Sequence, residues 1–171
     1  MRNLELDRLE KQRAEFFDEL EKLPNDLLNN QINNSWSITQ HLYHTWLAET
    51  STEQYIRTKT KYPDLLKKMS FTVYLRTTLL RFFLKLGVRV KAPVSTSTFP
   101  EKIDLKILNN KWSDSRKSFQ NLINTLEEKK LNNKAIFRHP LMGRLNMKLT
   151  LYFFNFHFKH HQKIINNLKN L

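Results

Sequence analysis

The sequence has no cysteine, only two glycines and only five prolines among its 171 residues. Without cysteine the chain has no disulfides, no cysteine-ligated zinc fingers or iron–sulfur clusters, and no thiol for covalent catalysis. Any metal ion must therefore be held by histidine or carboxylate groups. The few glycines exclude a phosphate-binding loop of the Rossmann or P-loop type, and the shortage of turn-forming residues disfavours β-sandwiches and barrels.

Long apolar segments are also missing. No apolar run approaches the roughly 20 residues that a membrane-spanning helix needs. The charged, periodic N-terminal sequence MRNLELDRLEKQRAEFF does not resemble a signal peptide. Hydrophobic residues still make up 40% of the chain, which is enough for a packed core. We therefore predict one soluble, cytoplasmic domain that spans residues 1–171.

Negative charge is scarce: the sequence has 16 aspartates and glutamates against 29 lysines and arginines, which gives a formal net charge of +13. Such a charge can attract nucleic acids or anionic membranes. However, the basic residues are scattered along the chain, and no nucleic-acid-reading motif accompanies them. We expect no specific nucleic-acid partner, and any DNA binding should be weak and sensitive to salt.

Apolar residues recur at helical spacing through most of the chain. Four long helices and one shorter or split helix are predicted, so the expected fold is an all-α bundle. Ser37 and Gln40 have the spacing of a capping box at the start of the second helix, and Pro63 interrupts its end. The predicted helices span residues 3–22, 37–62, 64–86, 104–129 and 147–168.

The third predicted helix is the most basic amphipathic segment, and Gly87 is expected at its C-terminus. Arg81, Lys85 and Arg89 recur on it every four residues. This pattern fits a helix on a membrane surface, but the solvated outer face of a bundle helix is the commoner explanation. Residues 90–100 are predicted as a long loop and 132–146 as an irregular connection. The expected buried stripe of the helix contains Phe71, Leu75, Leu79, Phe82 and Leu86.

Six histidines carry the candidate chemistry. His157 and His161 are one helical turn apart on the same face, which is the geometry that two imidazoles need to bind one metal ion. If the second helix packs beside the last one, His44 can complete a three-histidine site. Alternatively, some of these residues are hydrogen-bonded core or surface histidines, since the H-x-x-x-H spacing arises easily by chance. The other three histidines are His41, His139 and His160.

His160 and His41 are expected to lie beside the three candidate ligands rather than to bind the metal ion themselves. On an ideal helix His160 lies about 60° from His157 and about 100° from His161, so it points to the flank of the pair. His41 is expected to line the pocket or to hydrogen-bond a ligand. Carboxylates near the histidine motifs are few, and no general base is assigned, so the catalytic residues are unknown.

Three segments, taken in order, resemble a known family. Residues 36–44 read WSITQHLYH, residues 139–147 read HPLMGRLNM and residues 157–164 read HFKHHQKI. Their order and separation resemble those of the DinB-like (YfiT-like) proteins over most of the chain. The resemblance implies a four-helix bundle of up-down-down-up topology, often a homodimer. It also implies a metal ion held by His44, His157 and His161. Gln40 stands where many relatives have glutamate and, with His41 and His160, is expected to surround the ligands.

Three neutral imidazoles leave coordination positions for water or substrate, as in catalytic metal sites. Zinc is the first choice, and nickel or manganese also suits imidazole ligands. The resemblance implies a metal-dependent hydrolase or a transferase that uses a low-molecular-weight thiol, with an unknown small-molecule substrate. The alternative is a metal-binding or stress-response bundle without turnover, and a basic nucleic-acid or membrane-surface protein is the third reading.

Overall fold

The computed structural model describes residues 3–32, 35–86, 96–98 and 100–170. Within them lie six α-helices, a 3₁₀ turn at Pro63–Leu65 and one antiparallel hairpin. None of these helices is long and apolar enough to cross a membrane. In chain order the elements are α1 (Leu4–Leu20), α2 (Asn25–Asn29), α3 (Ile38–Lys59), α4 (Thr72–Lys85), α5 (Leu105–Glu128), β1 (Phe137–His139), β2 (Gly143–Leu145) and α6 (Met147–Leu168).

Helices α1, α3, α5 and α6 form a four-helix bundle in which α1 and α3 each pack against α5 and α6. Side-chain contacts show that α1 runs parallel to α6 and antiparallel to α5, while α3 runs parallel to α5. The topology is therefore up-down-down-up, as the resemblance implies. The contacts that give these directions are Asn3 with Gln120 and Arg13 with Asn109, Phe16 with Phe158 and Glu19 with Lys169, and Glu49 with Arg116 and Glu53 with Ser118.

The centre of the bundle contains an ion pair as well as apolar side chains. The Arg116 Nη2 atom lies 2.8 Å from the Glu49 carboxylate, and both side chains are about 5% exposed or less. The indole N–H of Trp112 donates to the same carboxylate at 2.8 Å. Trp112 also packs edge-on against Phe17 and Phe158. Helices α3 and α5 are thus joined by a charge pair within an aromatic core.

Helix α4 and the hairpin lie outside the bundle and cover one side of it. Helix α4 contacts α6 and β2, and β1 contacts α3. In the hairpin His139 pairs with Gly143, whose φ of 90° lies in the left-handed region that favours glycine. The hairpin and α4 therefore stand over the groove between α3 and α6.

Most helix predictions are confirmed. The predicted helices at 3–22, 37–62, 104–129 and 147–168 correspond to α1, α3, α5 and α6, and the capping box of Ser37 and Gln40 is present. Helix α2 and the hairpin in residues 132–146 were not predicted. The predictions for Gly87, Arg89 and most of the loop at 90–100 fall outside the described residues.

The prediction for the third helix is wrong in two respects. The helix begins at Thr72 rather than near residue 64, because Pro63 starts a short 3₁₀ turn instead. The expected buried stripe is also exposed, with Phe71 at 85% and Leu75 at 61%. Apolar residues occupy opposite faces of α4, so periodicity alone selects the wrong face. The buried residues are Val73, Thr77, Leu80 and Leu84.

The buried ion pair yields a stability prediction. Changing Arg116 to Met leaves the Glu49 carboxylate buried without its countercharge, and we expect a loss of about 3–5 kcal/mol in the free energy of unfolding. The matched control is Lys117→Met, which breaks the exposed pair with Asp114 and should change stability by less than about 0.5 kcal/mol. Urea unfolding of both variants is the measurement. Equal, small effects would show that the buried pair contributes little.

Candidate metal centre

Three imidazoles meet between α3 and α6. The antiparallel packing of these helices places His44, near the start of α3, against the C-terminal half of α6. The Nε2 atom of His157 lies 3.3 Å from Nε2 of His44 and 3.2 Å from Nε2 of His161. One ligand atom from each of the three residues lies within 4.8 Å of the others. The structure thus brings together the three histidines that the sequence singled out.

The hydrogen bonds of the Nδ1 atoms indicate which ring nitrogen carries the proton in two of these imidazoles. A carbonyl can only accept, so Nδ1–H of His44 donates to the Thr96 carbonyl at 2.7 Å. The Nδ1 atoms of His161 and His41 lie 3.0 Å apart, and His161 can donate through this contact. The buried Nδ1 of His157 has no hydrogen-bond partner among the described residues. In this arrangement the Nε2 atoms of His44 and His161 carry lone pairs that point toward Nε2 of His157.

Burial keeps the three imidazoles neutral. Desolvation lowers the pKa of His44 and holds the pKa values of His157 and His161 well below their usual range. Repulsion from neighbouring imidazoles acts in the same direction. A proton on Nε2 of His157 can serve only one of its two neighbours at a time, whereas a cation among the three rings can be bound by all of them. This donor set fits a divalent metal ion that accepts imidazole nitrogen.

His160 and Gln40, which were also expected to surround the ligands, form hydrogen bonds outside the three-imidazole group. Nδ1–H of His160 donates to the Leu84 carbonyl on α4 at 3.3 Å, and His160 is not part of the three-imidazole group. Gln40 accepts from the Ser37 backbone at 3.0 Å and from the Gln31 amide at 2.8 Å. Its hydrogen bonds therefore cap the helix that carries His44, and none of those described reaches the imidazoles.

A cavity of about 420 Å³ opens beside the three histidines, and all three line it. Its walls come from α3, α4, α6 and the hairpin, and they are mainly apolar. Arg138 and His139 add polar groups at the hairpin end. The apolar lining residues include Tyr55, Leu80, Leu84, Phe137, Leu141 and Phe153.

His139 is a site residue that the sequence reasoning did not assign. Its Nδ1 accepts the backbone N–H groups of Leu141 and Met142 at 3.2 and 3.3 Å, so its proton lies on Nε2 in the neutral ring. Burial lowers its pKa to about 4. Its ring packs on Phe153, which stacks on His157. In the sequence the HPLMG segment contributes only to the family resemblance, although the proline and glycine that follow His139 indicate a turn.

The carboxylates nearest to His44 in sequence are already paired. Glu49 binds Arg116 and Trp112 in the bundle core, and burial raises its pKa. Glu53 forms an ion pair with Arg57 at 2.7 Å. The structure thus gives each of them a structural partner away from the three imidazoles.

The fold and the site together define a class of protein: an up-down-down-up helical bundle with a buried three-histidine group that can hold a metal ion. The family sequence model of the DinB superfamily matches residues 8–165, and the chain belongs to this superfamily. The resemblance in the three sequence segments is thereby confirmed. No curated protein and no solved structure matches the chain significantly.

The pKa of His139 predicts how stability changes with pH. Between its usual value of 6.5 and about 4 the unfolded chain binds a proton at this residue and the folded chain does not. Stability therefore falls as the pH falls through this range. From pH 7 to pH 5 we expect His139→Asn to lose about 1–2 kcal/mol less than the unmodified protein, because Asn does not titrate.

Urea unfolding at both pH values, with a chelator present throughout, measures this difference. Arg138→Gln is the control, because it changes the exposed neighbour on the same strand and should keep the original pH dependence. An unchanged pH dependence in His139→Asn would contradict the assignment of a half-buried, neutral His139.

Proposed function

We propose that His44, His157 and His161 bind one divalent metal ion and that the chain uses it to transfer or hydrolyse a small molecule. The observation that carries the proposal is the convergence of three neutral imidazoles, each with a ligand atom within 4.8 Å of the others. Zinc is the first choice, because it accepts three imidazoles and keeps an open position in catalytic sites. Nickel and manganese are the alternatives.

The surroundings of the three imidazoles support this proposal. The Thr96 carbonyl fixes the tautomer of His44, and His41 can do the same for His161, as outer hydrogen bonds do in metal sites. All three rings line the apolar cavity, so a bound molecule lies directly beside their nitrogens. A divalent ion there would lower the pKa of a bound water or thiol toward neutrality.

The protein groups around the cavity favour a thiol as the nucleophile. Glu49 and Glu53 are held by Arg116 and Arg57, so neither is placed as a general base. A thiol needs less help from a base than water does, because its usual pKa is about 8.5. The chain has no cysteine, so the thiol must come from a separate small molecule. Transfer from a low-molecular-weight thiol is therefore the first candidate reaction, and hydrolysis is the second.

The apolar cavity also suggests what accepts the thiol. Tyr55, Phe137 and Phe153 offer aromatic surfaces, and the Nε2–H of His139 is a fixed donor at the hairpin end. An apolar electrophile with a hydrogen-bond acceptor fits this lining. The homodimer, the cytoplasmic location and the single domain over residues 1–171 stay predictions.

Metal content tests the ligand assignment. We expect about one divalent ion per chain after native purification and a loss of metal binding in His157→Ala, since one of three ligands is removed. The matched control is His160→Ala, which removes a pocket imidazole outside the group and should retain the metal. Elemental analysis and competition with a chromogenic chelator give the two readouts. Equal metal content in both variants would remove the assignment.

Turnover separates the candidate reactions. Metal-loaded protein is mixed with glutathione or free cysteine and an aromatic electrophile such as 1-chloro-2,4-dinitrobenzene, and separately with p-nitrophenyl esters. We expect conjugation that needs the metal and is lost in His157→Ala but not in His160→Ala. Ester cleavage without conjugation would favour the hydrolase. Bound metal without either reaction would indicate a binding protein and would overturn the catalytic part of the proposal.

A further inference from the structure

Helix α4 has a second apolar face that points away from the protein. Its inner face packs on α6 and β2 through residues such as Val73 and Leu84, which are less than 10% exposed. The outer face consists of large apolar side chains that are 46–85% exposed. These outer residues are Phe71, Leu75, Leu79, Phe82, Phe83 and Leu86.

The outer residues form a continuous strip with basic edges. At about 100° per residue, the six side chains occupy an arc of about 120° centred about 150° away from the buried face. Arg76 lies beyond one end of the strip, and Arg81 and Lys85 lie beyond the other, within about 20–80° of its ends by the same count. All three basic residues are exposed. Phe82 and Leu75 lie within the strip.

Acidic residues are absent from this part of the sequence. No aspartate or glutamate occurs between Asp64 and Glu101, although aspartate and glutamate make up 16 of the 171 residues. The described part of this stretch has five lysines and arginines, all exposed. The surface is therefore apolar at its centre and positively charged around it. Its basic residues are Lys67, Lys68, Arg76, Arg81 and Lys85.

We propose that α4 docks on the surface of an anionic phospholipid bilayer and lies in the plane of the interface. Phe and Leu side chains on one face, with Lys and Arg beside them, are typical of helices that insert their apolar face at the headgroup boundary. Anionic headgroups supply the charge that this surface lacks. The helix has 14 residues, so it lies on the membrane rather than across it.

The composition of this surface argues against a second copy of the chain or a nucleic acid as its partner. A second copy docked through the same face would bring two sets of five cations together, with no acidic residue of this stretch between them. A nucleic acid would neutralise the cations but would leave Leu79, Phe82 and the other outer side chains without an apolar partner. A bilayer surface satisfies both the apolar strip and its basic edges. The proposal does not depend on the three-histidine site.

Vesicle binding by the full chain is the test. We expect the protein to sediment with vesicles of phosphatidylglycerol and phosphatidylcholine and not with vesicles of phosphatidylcholine alone. Binding should weaken as salt is raised, because the charges lie at the surface. Equal binding to both kinds of vesicle, or to neither, would overturn the proposal.

Two double variants separate the apolar and the charged contributions. Leu79→Ser with Phe82→Ser should weaken binding at least tenfold, since both side chains lose their apolar contact. Arg76→Gln with Lys85→Gln should weaken it by about fivefold per cation. The matched controls on α5, Ile107→Ser and Lys106→Gln with Lys111→Gln, change exposed residues of the same types and should bind as the unmodified protein does. Comparable losses in the controls would contradict docking through α4.

A site-specific probe confirms which face meets the lipid. The chain has no cysteine, so Leu79→Cys gives a single position for an environment-sensitive fluorophore. We expect a blue shift with anionic vesicles at this position and none at Ile107→Cys. Gel filtration with light scattering detects the competing occupant. A dimer that is lost in the Leu79→Ser, Phe82→Ser variant would assign the face to a second copy and overturn the lipid proposal.

Discussion

The antiparallel packing of α3 against α6 is the constraint on which the rest of the site depends. The two helices bring imidazoles from sequence positions more than 110 residues apart within about one hydrogen-bond length. Because the contact is buried, all three rings are neutral and offer lone pairs rather than charges. The cavity, the hairpin and α4 are arranged around this groove. The packing of α3 against α6 therefore produces both the group of neutral imidazoles and the cavity that gives a ligand access to them.

Much of this arrangement was predictable, because it depends on periodicity. The bounds of α6 follow from the Asn146 cap and the apolar stripe, and the spacing of His157 and His161 places them on one helical face. Bringing His44 to them required the bundle topology, which the resemblance supplied. The Thr96 carbonyl next to His44 was not predictable, because a backbone carbonyl has no residue preference. His41 was expected to line the pocket or to hydrogen-bond a ligand, but its contact with His161 depends on the packing angle of two helices.

The errors have a common physical cause. Hydrophobic periodicity reports where apolar residues lie and not what covers them. In α4 two apolar faces compete, and the one with the larger side chains is the exposed one. In the segment before α6 the hairpin strands are three residues long, too short for a clear alternation. His139 was missed with them, because its role comes from a turn that only the paired strands define.

The ion pair of Glu49 and Arg116 also limits how far α3 can slide along α5. A slip of one helical turn moves Glu49 by about 5.4 Å, which separates the charges and leaves both buried alone. Apolar contacts in the same core would tolerate such a slip far better, because they have little directionality. His44 lies five residues earlier on the same helix. A pair on one side of α3 thus fixes the position of His44 along the helix axis relative to α5, so that a contact in the core also limits where one metal-ligand candidate can lie.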